Sequence, residues 1–180
     1  MSKELPVREN IRLKGYDYSQ NGAYYITICT QGRRNLFGDV IVGADLVSAR
    51  VELSEAGKMT ERVYTEIISS FNGFVSEKYI IMPNHFHCIL FIHRADTRSA
   101  PTGMETVANV VQAFKSKTTV EYIKGVKSGK YPPFNKRIWQ RNYYEHIIRD
   151  EKDYKIKWKY IDENPAQWVE DEYFVEATAH

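Results

Sequence analysis

Two histidines one residue apart, His85 and His87, sit inside the apolar run "YIIMPNHFHCILFI" at 79–92. Pro83-Asn84 punctuates it, so "FVSEKYIIMP" and "HFHCILFI" read as the two strands of a β-hairpin. Alternate side chains of a strand share a face, so His85 and His87 point one way and Phe86 and Cys88 the other. Their Cα atoms then lie roughly 6.6 Å apart. At that spacing two imidazoles can converge on one ion through metal–nitrogen bonds of about 2.1 Å. The competing reading is a pair of core histidines satisfied by hydrogen bonds. Each ring nitrogen left unsatisfied in a core costs on the order of 1–3 kcal/mol, so two on one face call for a reason. The absence of CxxC and HExxH motifs argues against a closed structural zinc site. Two neutral imidazoles and one further ligand would leave open positions, as a Lewis acid acting on a phosphoryl oxygen needs.

A nucleophile for such a site could come from the C-terminal third. Residues 138–150, "IWQRNYYEHIIRD", and 151–164, "EKDYKIKWKYIDEN", read as two helices with a break near Asp150, the second ended by Asn164-Pro165. On the first, Gln140, Tyr143, His146 and Asp150 form a polar stripe, while Tyr144, Ile147, Ile148 and Glu151 form a more apolar one. That makes Tyr143 the tyrosine presented beside polar groups and Tyr144 the core candidate. A phenol attacking a phosphate gives a covalent phosphotyrosine and splits one hard step into two transfers. With 13 tyrosines in the chain, the stripe alone does not select one.

The remaining elements must position these groups. "AYYITICT" (23–30) reads as a strand, with a second through Val40 to Val42. Ser54 caps a helix with Met59, Val63, Ile67 and Phe71 at helical spacing. A further helix carries Val107, Val110, Val111 and Phe114 on one stripe, and Pro132-Pro133 closes the lysine-rich loop after it. This order suits an α+β sandwich, an antiparallel sheet with helices mainly on one face. Two segments do not fit the order, 42–50 and 94–103. They carry the related strings "ADLVSA" and "ADTRSA" and read as loops tolerant of insertion.

Composition sets the outer bounds. The 180 residues, 43% hydrophobic and 27% charged, are those of one globular domain. No apolar run approaches the roughly 18 residues a membrane span needs. The polar N-terminal stretch has no apolar signal region, so a cytoplasmic location is expected, with Cys29 and Cys88 reduced. The net charge of +2 conceals a basic block at 111–160, with 13 Lys and Arg against 5 Asp and Glu, and an acidic stretch at 161–180 with 6 Asp and Glu and no base. A basic block followed by an acidic tail suggests polyanion binding. A solvated lysine-rich surface has the same composition.

"MPNHFHCIL", the basic helix, "WQRNYYEHIIRDEKDY" and "YIDENP" together resemble the REP-associated tyrosine transposases. These are relatives of the small single-strand insertion-sequence transposases in the HUH nuclease superfamily. The resemblance runs from about Tyr16 to Asn164. It implies a ferredoxin-like sandwich over 1–164 with the His85-Phe86-His87 strand central, followed by an acidic tail at 165–180. It implies His85 and His87 as metal ligands, Mg²⁺ or Mn²⁺ as the metal, and Tyr143, first after "WQRN", as the nucleophile. The superfamily's third ligand falls about one turn after the nucleophile. Ile147 cannot ligate, which leaves His146, with Gln140 as the substitute. The implied substrate is single-stranded DNA at short palindromic hairpins, cleaved and rejoined through a 5′-phosphotyrosine, by a monomer or a homodimer. Arg12, Lys14, Lys115, Lys117, Lys124, Lys127, Lys130, Lys136, Arg137 and Arg141 would contact the DNA, with Tyr131 and Trp139 available for stacking, core packing being the favoured reading of Trp139. A non-catalytic nucleic-acid-binding module of the same fold is the alternative.

Overall fold

The structure is a computed structural model that describes residues 21–43, 49–93 and 105–174. Arg12, Lys14 and nearly all of the two related loop strings lie outside the described residues.

Four strands form one antiparallel sheet: β1 (Gly22–Cys29), β4 (Phe74–Ile81), β5 (His85–Ile92) and β6 (Tyr144–Ile148), in the order β4-β5-β1-β6. Helix α1 (Glu55–Ser70) joins β1 to β4 and α2 (Val107–Lys127) joins β5 to β6. This is the ferredoxin-like arrangement, with the histidine strand β5 central. A separate ribbon, β2 (Gly38–Val42) with β3 (Ala49–Leu53), is inserted before α1. Helix α3 (Glu151–Glu163) and a short 3₁₀ turn at Trp168–Glu170 follow β6.

Side-chain alternation splits the sheet into two different faces. Tyr24, Ile26 and Ile28 of β1 and Phe86, Cys88 and Leu90 of β5 meet α1 and α2 in the main core, with Tyr64, Phe114 and Trp139. On the other face Tyr25 and Ile89 pack against Ile161 of α3. Each helix start is capped as its sequence dictates. Ser54 Oγ accepts from Gly57 N, Thr106 and Asn109 form a reciprocal box, and Asp150 accepts from Asp153 N. Met59, Val63 and Ile67, and all four apolar residues of the α2 stripe, are buried as their spacing requires. Cys29 and Cys88 are free thiols.

One element departs from expectation. Residues 144–148 form an edge strand paired with β1, Tyr25 opposite His146 and Thr27 opposite Tyr144, where periodicity predicts a helix. "YEHII" is short enough to satisfy either period. The open edge of β1 offers ladder hydrogen bonds that an isolated helical turn could not match. The chain also stays packed past residue 164, with Trp168 buried. The described part of the acidic stretch is therefore folded onto the domain.

Candidate active site

The turn Met82–Asn84 aims the histidines. Leu36 N and Phe37 N both donate to Pro83 O, Thr30 N donates to Asn84 O, and Met82 N to His85 O. His85 and His87 leave this turn opposite Cys29 and Thr27 of β1, on the face turned away from α1 and α2. Both are 0% exposed, and their ring centroids lie 4.5 Å apart.

Neighbouring groups fix which nitrogen of each ring is free. Asn84 Nδ2 donates to the carbonyls of Arg33 and Tyr173, so its Oδ1 faces His85 Nδ1 at 2.9 Å. An amide oxygen can only accept, which assigns the proton to Nδ1 and leaves a lone pair on Nε2. His87 Nδ1 lies 2.8 Å from both Tyr25 Oη and Thr27 Oγ1; hydroxyls take either role, and with the Nδ1 proton given to one of them Nε2 carries the free lone pair. Holding one ring nitrogen so that the other is presented is how proteins orient imidazole ligands. Burial pushes the His85 pKa down to about 4, against the partly offsetting charge of Asp171. Burial, then His85, then Lys157 hold His87 well below its ordinary value. Both rings are therefore neutral, as ligation requires.

Helix α3 closes over this pair. Tyr160 sets its ring edge against His87 at 5.4 Å and against Tyr25 at 6.2 Å. Asn164, four residues on and so one turn along the same stripe, is 1% exposed. Its Nδ2 donates to Asp171 Oδ2 at 2.7 Å, and Tyr160 Oη donates to the same oxygen at 3.2 Å. Burial, and next the Asp171 carboxylate, push the Tyr160 phenol well above its ordinary pKa. Three buried atoms here have no hydrogen-bond partner: His85 Nε2, His87 Nε2 and Asn164 Oδ1. Two imidazoles and an amide oxygen, all neutral acceptors left open in one place, fit a divalent cation.

The segment Asp171–Phe174 straps the site shut. Tyr173 lies over His85 at 4.7 Å and Trp168 flanks it at 5.8 Å. Arg33 donates to Glu172 O and stands 5.3 Å from the Tyr173 ring centroid.

The structure does not bring Tyr143 and His146 to the histidine pair. Tyr143 packs against the α1–α2 core, the far side of the sheet, with Lys115 Nζ 5.5 Å from its ring centroid. His146 shares the histidine face but lies on the edge strand, where Nε2 meets Asp153 Oδ2 at 2.7 Å. Among the described residues no set of three or more His, Cys, Asp or Glu could hold a metal. Gln140 is tied to Thr30 O at 3.2 Å. Tyr144, expected in the core, is 42% exposed and faces the Tyr160 side. The polar stripe that singled out Tyr143 vanishes once 144–148 is a strand. Tyr160 and Asn164 were missed because Asn164-Pro165 reads as a helix stop. Their one-turn spacing at the end of "KYIDEN" was the available signal.

The basic residues divide. Lys115 is caged by the carbonyls of Gln140, Arg141 and Asn142 at 3.0, 3.3 and 3.0 Å, an acceptor for each ammonium N–H, and burial pushes its pKa down to about 8. It holds a loop and offers nothing to phosphate. Lys117 pairs with Glu66 and Lys124 with Glu121. Lys127 and Lys130 are exposed at the end of α2. Lys136, Arg137 and Arg141 line one groove of about 680 Å³ with Arg34, a residue the charge count of the basic block leaves out. Gly125 of α2 lets the loop after the helix pack closely. A side chain there would run into the Tyr131 ring, and Tyr122 Oη donates to Pro132 O at 3.1 Å. Trp139 is core, donating to Thr118 Oγ1 at 2.8 Å.

The sheet is ferredoxin-like, with the His-x-His strand at its centre. The chain is 33% identical over 94% of its length to an uncharacterised protein of Haemophilus influenzae, of which the match also covers 94%. It is 26% identical over 84% of its length to a putative REP-associated tyrosine transposase of the same organism, covering 74% of that protein. Among solved structures it matches a REP-associated tyrosine transposase bound to a REP hairpin, with a TM-score of 0.56 and 20% identity, covering 91% of this chain and 76% of that one. No protein-family model matches. The chain thus resembles the REP-associated tyrosine transposases in sequence and shares the fold of a solved one. Among the described residues no helix is long and apolar enough to cross a membrane.

Proposed function

We propose that this protein cleaves and rejoins single-stranded DNA beside palindromic hairpins, with Tyr160 as the nucleophile in place of Tyr143. The observation that carries the reading is a set of three buried atoms without partners, His85 Nε2, His87 Nε2 and Asn164 Oδ1, on two rings 4.5 Å apart and on the residue one helical turn from Tyr160. His85, His87 and Asn164 would hold Mn²⁺ or Mg²⁺, the mixed nitrogen and oxygen set favouring Mn²⁺. When bound, the ion supplies Lewis-acid polarisation of the scissile phosphate.

The chain's own residues do the rest. Asp171 orients the Tyr160 hydroxyl and the Asn164 amide together. Tyr160 Oη attacks phosphorus as the bond from phosphorus to the 3′ oxygen breaks. The phenol proton passes in net to the departing 3′ oxygen, leaving a 5′-phosphotyrosine and a free 3′-OH. Attack by that or another 3′-OH reverses the step, so cutting and joining use one site. The groove of Arg34, Lys136, Arg137 and Arg141 tracks the DNA backbone. Because both histidines are fully covered, Asp171–Phe174 must lift before a phosphate can enter.

The test is covalent trapping of an end-labelled hairpin oligonucleotide with Mn²⁺. Wild type and Tyr143→Phe form a denaturant-resistant adduct, and Tyr160→Phe forms none. The complete covering of the histidines also favours a second reading, a binding module that does no chemistry. It expects hairpin binding with no adduct from any variant.

A further inference from the structure

On the stripe of α3 that carries Tyr160 and Asn164, the residue one turn earlier is Lys157. The two lysines on either side of it, Lys155 and Lys159, point outward and pair with Glu151 and Glu163. Lys157 is half-buried and turned toward the sheet. Among the described residues it has no carboxylate within ion-pair distance. Its ammonium rests on the face of Tyr25, 5.1 Å from the ring centroid. Tyr25 in turn holds His87 Nδ1. An aromatic face is a weak resting place for a cation, worth about 0.5–1 kcal/mol when exposed, so an incoming anion can draw the side chain away.

The space beside it is a cavity of about 260 Å³. Its walls are Tyr25 and Thr27 of β1, Tyr144 of β6, Lys157 and Tyr160 of α3, and Glu172 and Tyr173 of the strap. Tyr160 is part of its wall. Lys157 is the only cation among the residues lining it. Tyr160 lines this cavity and sets its ring edge against the buried His87 at 5.4 Å, so once the strap lifts, Lys157 and the histidine pair would stand on two sides of a phosphate in reach of Tyr160 Oη. A phosphodiester has two non-bridging oxygens, and two positive groups on different sides can each take one.

We propose that Lys157 is a catalytic residue that binds one non-bridging oxygen of the scissile phosphate while Tyr160 attacks. The inference rests on Tyr160 being the nucleophile. The Lys157 contact strengthens as negative charge builds on the phosphoryl oxygens, so it lowers the barrier more than it tightens binding.

The experiment uses the full chain, Mn²⁺ and hairpin oligonucleotides carrying a single Rp or Sp phosphorothioate at the scissile position, mapped from the wild-type product. Lys157→Met should slow adduct formation about 100-fold while hairpin affinity stays within twofold. Lys157→Arg should recover most of the rate, and the ion-paired Lys155→Met should match wild type. Wild type should discriminate the two diastereomers, and Lys157→Met should lose the part of that discrimination due to the lysine-bound oxygen. A structural role would leave the stereochemical preference untouched. Lys157→Met cleaving within threefold of wild type, or keeping the full wild-type preference, overturns the proposal. So does a hairpin affinity that falls in step with the rate, which would make Lys157 a backbone-tracking lysine. If Lys157→Met does not fold, Lys157→Gln is read in the same way. An adduct formed by Tyr160→Phe instead overturns the nucleophile assignment, a separate outcome from any result at Lys157.

Discussion

The two faces of the sheet are built from the same strands by alternation, and they differ in what they leave unfinished. Toward α1 and α2, Phe86 packs against Tyr64 at 4.6 Å and Phe114 at 5.1 Å, and the layer is closed and apolar. Toward α3, the next residues along the same strand are histidines whose Nδ1 atoms are held and whose Nε2 atoms meet nothing. A buried polar atom without a partner costs on the order of 1–3 kcal/mol, so a fold optimised only for stability would fill that face as it fills the other. One face carries stability, and the other spends some of it on a site.

The sharpest way to break this contrast is to exchange neighbours on β5. Phe86→Ala should cost about 3–5 kcal/mol of unfolding free energy in a denaturant titration. His87→Ala should cost under about 2 kcal/mol. It should weaken Mn²⁺ binding about 10- to 100-fold by calorimetry and remove the DNA adduct, with hairpin affinity kept by the groove. If His87→Ala unfolds the protein as readily as Phe86→Ala, the two faces do not differ in kind.

The strap gives a smaller effect of opposite sign. Tyr173→Ala removes the ring over His85. It should speed adduct formation on the order of 10-fold, equivalent to shifting a closed–open equilibrium by about 1.4 kcal/mol. A slower reaction would make Tyr173 part of the working site and not its cover. The smallest effect is expected at His146, which lies on the histidine face yet outside the site. Breaking its partly exposed pair with Asp153 should cost under about 1 kcal/mol. Mn²⁺ affinity in His146→Ala should match wild type, and a tenfold loss there would restore His146 as a ligand.

The histidine pair, the β-hairpin that carries it and the helices around it were legible because each depends on local spacing. Alternation alone places His85 opposite in face to Phe86, and Ser54 alone starts α1. Two things were not legible for physical reasons. Tyr144–Ile148 is a strand only because the edge of β1 is vacant, a tertiary fact that five residues do not encode. Tyr160 and Asn164 become site residues only when α3 docks across β5, which no periodicity within α3 specifies. The charge count misled in a similar way. Lys117 and Lys124 are satisfied by Glu66 and Glu121, Lys115 by backbone carbonyls, and Arg34 joins the groove from outside the block.

Everything proposed for the site turns on which tyrosine reaches the phosphate, and that can be read directly. The wild-type protein is incubated with hairpin DNA and Mn²⁺, the covalent complex is digested with protease and nuclease, and the peptide bearing the residual nucleotide is sequenced by mass spectrometry. The nucleotide should sit on Tyr160. Modification at Tyr143 or Tyr144 would contradict the site described here, and so would the absence of any modified peptide from protein that binds the hairpin.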